Sequence, residues 1–139
     1  MGQNTSENPK ASAQLVGNMG LYAVCWQLAK RGWNVMPTSR NAKGIDILGY
    51  DQTGKRTITV QVKALSKRSP VPMGAGARNL IADFIIIARH VATETPEFFI
   101  ARTTDIHIDS RHKDGKISHW LQPKDYEDFQ DQWATIGDG

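Results

Sequence analysis

The chain has 139 residues, a length that suits one domain with one hydrophobic core. Hydrophobic residues make up 40% and charged residues 22%, as in ordinary globular proteins. The single cysteine, Cys25, excludes an intrachain disulfide and a cysteine-rich zinc site. The lack of an apolar run of about 18 residues argues against a membrane-spanning helix, so we expect a cytoplasmic protein.

The basic residues are concentrated in the middle of the chain. Residues 30–78 contain ten basic and two acidic residues, a net charge of +8, whereas the whole chain carries +3. A basic segment with acidic flanks is what a surface that faces phosphate groups requires. The same charges would equally suit several separate solvated faces, so charge alone leaves nucleic-acid binding open.

The first predicted element is a helix over residues 13–31, with Ser12 as its N-cap and Gly32 as its stop. Its apolar residues recur at spacings of three and four and are Leu15, Met19, Tyr22, Trp26 and Ala29. Gly17 and Gly20 inside the helix each cost about 1 kcal/mol relative to alanine. We therefore expect close packing or a ligand near that turn.

Short runs rich in β-branched and apolar residues predict the strands. They are expected at residues 33–36, 45–50, 57–65, 84–88 and 98–101, with an edge strand at 117–121. A basic loop rich in proline and glycine is expected at residues 66–78, and a short helix or turn at residues 103–110. Pro123 is expected to begin a final helix. Its aromatic face consists of Tyr126, Phe129 and Trp133.

This order of elements predicts an α/β fold with a central mixed β-sheet flanked by helices. A helix comes first, followed by three strands, a helix or loop, further strands and a C-terminal helix. Residues 11–139 are expected to form this single domain, and the polar residues 1–10 a disordered tail. The sequence has no P-loop or dinucleotide fingerprint, so no nucleotide cofactor is expected.

Three polar residues on two neighbouring strands form the candidate active site. Because side chains alternate along a strand, Gln61 and Lys63 share the face of strand 57–65 that lies opposite its apolar face. A hairpin between this strand and strand 45–50 pairs Asp46 roughly with Gln61. Carboxylate and amide oxygens suit Mg²⁺ or Mn²⁺, and a nearby lysine can position water and offset charge on phosphorus. Each residue alone also has a simpler interpretation: a turn cap at Asp46, an exposed Gln61, and a Lys63 paired with Asp46.

The arrangement resembles the PD-(D/E)XK superfamily of restriction-endonuclease-like nucleases, and within it the archaeal Holliday junction resolvases and small homing or repair nucleases. The resemblance covers about residues 13–90 and rests on a GxxG helix, a GID strand and a QVK strand. It implies that Asp46 and the residue at position 61 bind the metal and that Lys63 assists catalysis. Gln61 stands where the family usually has an acid, which makes the motif QxK.

Many members of the superfamily also carry a metal-binding glutamate on the first helix, and this chain lacks one. The matching positions hold Asn18 or Leu21, of which only Asn18 can offer an oxygen ligand. The resemblance thus implies a metal set of Asp46, Gln61 and Asn18 for Mg²⁺ or Mn²⁺. With one carboxylate, the site is expected to bind a metal weakly until a substrate phosphate completes the coordination.

Two basic segments near these residues are predicted to contact nucleic acid. The first precedes Asp46 and contains Arg40, Asn41 and Lys43. The second follows Lys63 in the 66–78 loop and contains Lys67, Arg68 and Arg78. Ordinary connecting loops are the alternative interpretation of both.

Three functions remain open at this point. The first is a metal-dependent DNA endonuclease. The second is a nuclease-like domain that has lost catalysis and binds nucleic acid or a protein partner. The third is an interaction domain in which the basic charge is incidental. A homodimer would suit the first function, because cutting two strands usually needs two sites.

Overall fold

In the computed structural model of the chain, residues 12–39 and 44–139 are described, and they form a long helix with two β-sheets. The helices and strands are α1 (Ala13–Lys30), β1 (Asn34–Pro37), β2 (Ile47–Tyr50), β3 (Thr57–Leu65), β4 (Val71–Pro72), β5 (Phe84–Arg89), β6 (Glu97–Arg102), β7 (Asp109–Lys113), β8 (Lys116–Leu121) and α2 (Pro123–Tyr126). Short 3-10 turns occupy Gly76–Asn79, Thr103–Asp105, Glu127–Phe129 and Trp133–Thr135.

The larger sheet has five strands in the order β1-β2-β3-β5-β6. β3 and β5 are parallel, whereas the other neighbours are antiparallel, so the predicted α/β class with a mixed central sheet is confirmed. A parallel pair needs a long crossover, and residues 66–83 provide it. This crossover contains β4, which joins β8 and β7 in a smaller antiparallel sheet of order β4-β8-β7.

α1 packs on one face of the larger sheet through a narrow buried stripe of Gly20, Val24 and Leu28. A Cβ atom on Gly20 would lie 2.4 Å from the Cβ of Ala64, so the missing side chain lets α1 approach β3 closely. This confirms the close packing expected near the helix glycines. Gly17 has no such role, since no atom of the described residues lies within 4 Å of the corresponding position.

The apolar residues whose spacing predicted α1 do not form its buried face. Leu15, Tyr22 and Trp26 are 51%, 63% and 62% exposed, and Met19 is only partly buried. Two stripes of α1 have the same helical spacing, and the stripe that packs on the sheet is the one that contains Gly20. The predicted start is confirmed, because Ser12 Oγ accepts a hydrogen bond from the Leu15 N–H at 3.1 Å.

The opposite face of the larger sheet carries a second apolar cluster, which lies beneath the smaller sheet. Ile85 and Ile87 of β5 belong to it, and the rings of Phe99 and Tyr126 meet edge to face with centroids 5.0 Å apart. The larger sheet is therefore covered on both sides, by α1 and by the smaller sheet with the C-terminal segment.

The predicted C-terminal helix is wrong beyond its first turn. α2 ends at Tyr126, and the chain then pairs with β6 through a bridge between Gln130 and Phe99 and a hydrogen bond from the Asp131 N–H to the Phe98 carbonyl. Pairing with a strand fixes an extended backbone that a helix cannot supply. Over the described ranges, no helix is long and apolar enough to cross a membrane.

Candidate active site

Asp46 lies just before β2, and its side chain extends the ladder between β2 and β3. Its N–H donates to the Val60 carbonyl at 2.8 Å, and its Oδ2 accepts a hydrogen bond from the Val62 N–H at 2.7 Å. A carboxylate oxygen thus takes the place of the next backbone carbonyl in the ladder. Since Ile47 pairs with Val60, Asp46 lies opposite Gln61, as the hairpin register predicts.

Gln61 is buried, which contradicts the interpretation of an exposed glutamine. The residue is 7% exposed, and among the described residues its Oε1 has no hydrogen-bond partner. A buried acceptor without a partner costs about 1–3 kcal/mol, and such atoms are rare in folded proteins. An amide oxygen of this kind is a ready ligand for a hard cation.

The side-chain oxygens of Asp46 and Gln61 are of the kind that binds a divalent metal. Asp46 offers one carboxylate whose orientation the Val62 N–H fixes, and Gln61 offers the unpaired oxygen beside it. In the described part of the chain, no group of three or more His, Cys, Asp or Glu side chains could hold a metal ion. A metal at this position would therefore depend on one carboxylate, amide oxygens and the substrate itself.

Lys63 is half-buried and follows Gln61 on the same face of β3. The parallel register places Gln61 beside Ile85 and Lys63 beside Ile87 of β5. The ion pairs within residues 12–39 and 44–139 do not include one between Lys63 and Asp46. The Lys63 ammonium is therefore not paired with the Asp46 carboxylate.

Asn18 lies on α1, which covers the face of β3 formed by Val62 and Ala64, whereas Gln61 belongs to the opposite face. The side chain of Asn18 is half-buried. Within the described ranges, no hydrogen bond joins Asn18 to Asp46 or Gln61, so its role as a third ligand stays a prediction.

The first predicted basic segment, with Arg40, Asn41 and Lys43, lies outside the described residues. Arg78 is exposed on the 3-10 turn Gly76–Asn79. This turn lies beside the start of β2, because a Cβ atom on Gly44 would be 2.8 Å from the carbonyl oxygen of Asn79.

Lys67 and Arg68 are exposed in the loop that leaves β3, but Arg68 already has a partner. Its Nε and Nη2 donate to the two carboxylate oxygens of Glu127, each at 2.9 Å. Arg89 also donates to Glu127, at 2.7 Å. Hydrogen bonds from Arg68 and Arg89 lower the pKa of Glu127 to about 2. Sequence reasoning missed this contact, since 59 residues separate Arg68 from Glu127 and no local pattern links them.

Comparison with known proteins finds similarity among solved structures. No family model and no curated protein matches the chain. Among solved structures, the chain is similar to the bacterial homing endonuclease I-Ssp6803I, with a TM-score of 0.60 and 19% sequence identity. The match covers 91% of this chain and 92% of that chain. The two chains therefore share an α/β fold over nearly their whole lengths.

Proposed function

We propose that the chain is a metal-dependent DNA endonuclease that hydrolyses phosphodiester bonds at a centre of the PD-(D/E)XK type, with Gln61 in place of the second acid. The observation that carries this proposal is the buried Oε1 of Gln61, which has no partner among the described residues and belongs to the residue opposite Asp46 in the β2–β3 register. Lys63, two residues further along β3, supplies the cation that such a centre needs. The fold shared with a homing endonuclease supports the proposal.

Asp46 and Gln61 would hold Mg²⁺ or Mn²⁺, and water or a phosphate oxygen would complete the coordination, because Asn18 lies on the helix that covers the opposite face of β3. When bound, such an ion stabilises the negative charge that develops on the phosphate. The Val62 N–H orients the Asp46 carboxylate before any ligand arrives. The Lys63 ammonium donates hydrogen bonds to the attacking water and to phosphate oxygens, which positions the water and offsets charge in the transition state.

The basic segments hold the DNA backbone in this proposal. Lys67 and Arg78 are exposed near the ends of the crossover and are free to contact phosphates. The side chain of Arg68 is 60% exposed while it binds Glu127, so its guanidinium can contact a DNA phosphate and Glu127 at the same time. Arg40, Asn41 and Lys43 are assigned to the same task from sequence alone.

Cleavage of supercoiled plasmid and of branched DNA in Mg²⁺ or Mn²⁺ tests the proposal. We expect Asp46→Asn and Lys63→Met to lower the cleavage rate by about 100-fold or more, because each removes one charge that acts in the transition state. Asp46→Asn keeps an oxygen acceptor for the Val62 N–H, so the fold should persist. Lys55→Met, an exposed lysine in the turn between β2 and β3, is the matched control and should cleave like the wild type.

Cleavage that survives unchanged in both Asp46→Asn and Lys63→Met would rule out this centre. A second candidate function, a nuclease-like domain without catalysis, is favoured by the single carboxylate. It predicts DNA binding that weakens steeply with salt and no cleavage by the wild type in either metal.

We also propose that the active form is a homodimer that associates through α1. Leu15, Tyr22 and Trp26 recur at spacings of seven and four and are each more than half exposed. Such a stripe is typical of a helix–helix interface, and a two-fold axis would pair it with its own copy. Two copies would supply one centre for each DNA strand.

A further inference from the structure

β7 and β8 form a hairpin that we call the ribbon (residues 109–121). All residues from 110 to 118 are exposed, and β7 is an edge strand of the smaller sheet. Lys113 pairs with Lys116 across a two-residue turn, Asp114–Gly115, in which both residues have positive φ angles of 52° and 75°. This tight turn matches the right-handed twist of the strands and keeps the ribbon regular to its tip.

One face of the ribbon carries its cations. Alternation along the strands and the cross-strand register place Arg111, Lys113, Lys116, Ser118 and Trp120 on this cationic face. Asp109, at its base, forms an ion pair with Arg111 at 3.2 Å. The opposite face consists of Ser110, His112, Ile117 and His119.

The tip of the cationic face places like charges together. Lys113 lies directly opposite Lys116, an arrangement that destabilises a hairpin on its own. Cations on an edge strand prevent unwanted strand pairing, but that role does not explain Lys116, which lies on the inner strand β8. An anionic partner would offset the repulsion between the two lysines.

The ribbon lies close to the candidate active site. A Cβ atom on Gly76 would be 2.9 Å from the ring of His119, so the turn Gly76–Asn79 packs against β8 on the face of the ribbon opposite the cations. The other end of the same turn approaches Gly44, two residues before Asp46. One short turn thus separates the ribbon from the start of the proposed metal site.

The cationic face also continues into the loop that leaves β3. Pro70 of this loop lines a shallow surface depression together with Arg111 and Trp120 of the ribbon. Lys67 is exposed in the same loop, four residues after Lys63. The cationic face of the ribbon therefore lies beside the loop that carries Lys67.

We propose that the ribbon inserts its cationic face into the major groove of duplex DNA beside the bond to be cut. The major groove is about 12 Å wide and admits a two-stranded β-ribbon. Lys113 and Lys116 contact phosphates of the groove walls, and Arg111, oriented by Asp109, reaches guanine edges on its floor. This inference rests on the proposed DNA-cleaving function and assigns the recognition of duplex DNA to residues outside the basic middle segment.

The test measures binding to a linear DNA duplex in EDTA, so that cleavage does not interfere. We expect the double variant Lys113→Ala/Lys116→Ala to bind about 10-fold more weakly and to lower the slope of log affinity against log salt by about 2, since two phosphate contacts are lost. The matched control is Lys55→Ala/Arg102→Ala, which should bind like the wild type. It removes two exposed cations outside the ribbon, one in the turn before β3 and one paired with Phe84, the first residue of β5.

A second duplex, whose cytosines carry glucosylated hydroxymethyl groups that fill the major groove, tests the mode of binding. The wild type should bind it more weakly than the unmodified duplex, and the ribbon double variant should not distinguish the two. Equal wild-type affinity for both duplexes, or equal behaviour of the two double variants, would overturn the ribbon inference and leave the proposed function standing. A wild type that binds no DNA at low salt would overturn the proposed function and the inference with it.

Discussion

Gln61 is the residue whose burial folding stability alone explains least. Its Oε1 is buried without a partner among the described residues, and β3 could carry an apolar side chain at this position instead. The unpaired oxygen lowers the free energy of unfolding by about 1–3 kcal/mol. Functional sites are where such local conflicts are expected, because ligand binding offsets them.

Replacing Gln61 by methionine separates its cost to folding from its use in binding. Methionine has a similar length and no polar oxygen, so we expect Gln61→Met to raise the free energy of unfolding by about 1–2 kcal/mol in EDTA. We also expect a high concentration of Mn²⁺ to raise the melting temperature of the wild type, and this rise should be absent in the variant. Urea unfolding and thermal melts measure both effects. Gln132→Met, at an exposed glutamine, should change neither, and a less stable Gln61→Met would contradict an unpaired oxygen.

At the same scale, sequence reasoning found the register of the site but not its burial. A short turn and the alternation of β3 were enough to place Asp46 opposite Gln61. The burial of Gln61 depends on chain segments far away in sequence, which pack over this face of β3 and leave no local pattern. The pairing of Arg68 with Glu127 has the same origin.

Among the elements, α1 and β3 meet where the helix has no side chain. We expect Gly20→Ala to lower the free energy of unfolding by about 1–3 kcal/mol, because the new methyl group would overlap Ala64. Gly17→Ala is the matched control, because no described residue lies within 4 Å of its Cβ position. It should gain up to about 1 kcal/mol of stability from helix propensity. Chemical denaturation measures both. Equal effects of the two substitutions would contradict the close contact between α1 and β3.

The accuracy of the predicted elements follows from how local their signals are. The bounds of β3, residues 57–65, were predicted from its own alternation, and α1 from its spacing and its cap. Neither pattern says which side of α1 meets the sheet, because a glycine in the buried stripe weakens its apolar signal. The final helix was predicted too long, since the pairing of Gln130 with Phe99 depends on β6.

At the scale of the whole molecule, the exposed stripe of α1 predicts self-association. We expect the wild type to sediment as a dimer and Trp26→Glu to shift it to a monomer, with an association constant lowered at least about 10-fold by the buried charge. Analytical ultracentrifugation over a range of concentrations measures this. Ile117→Glu, at a similarly exposed apolar residue outside α1, should stay dimeric. A wild type that is monomeric at every concentration would exclude the proposed dimer.

The hydrogen bond between the Asp46 carboxylate and the Val62 N–H bears on how this chain would evolve. Selection for folding alone would keep an aspartate or asparagine at position 46 after a loss of catalysis, because β3 needs the acceptor. Among the described residues, Lys63 has no hydrogen-bond or ion-pair partner that folding would preserve in the same way. In descendants that no longer cut DNA, Lys63 should therefore drift first, and its persistence beside Asp46 would mark the lineages still under selection for cleavage.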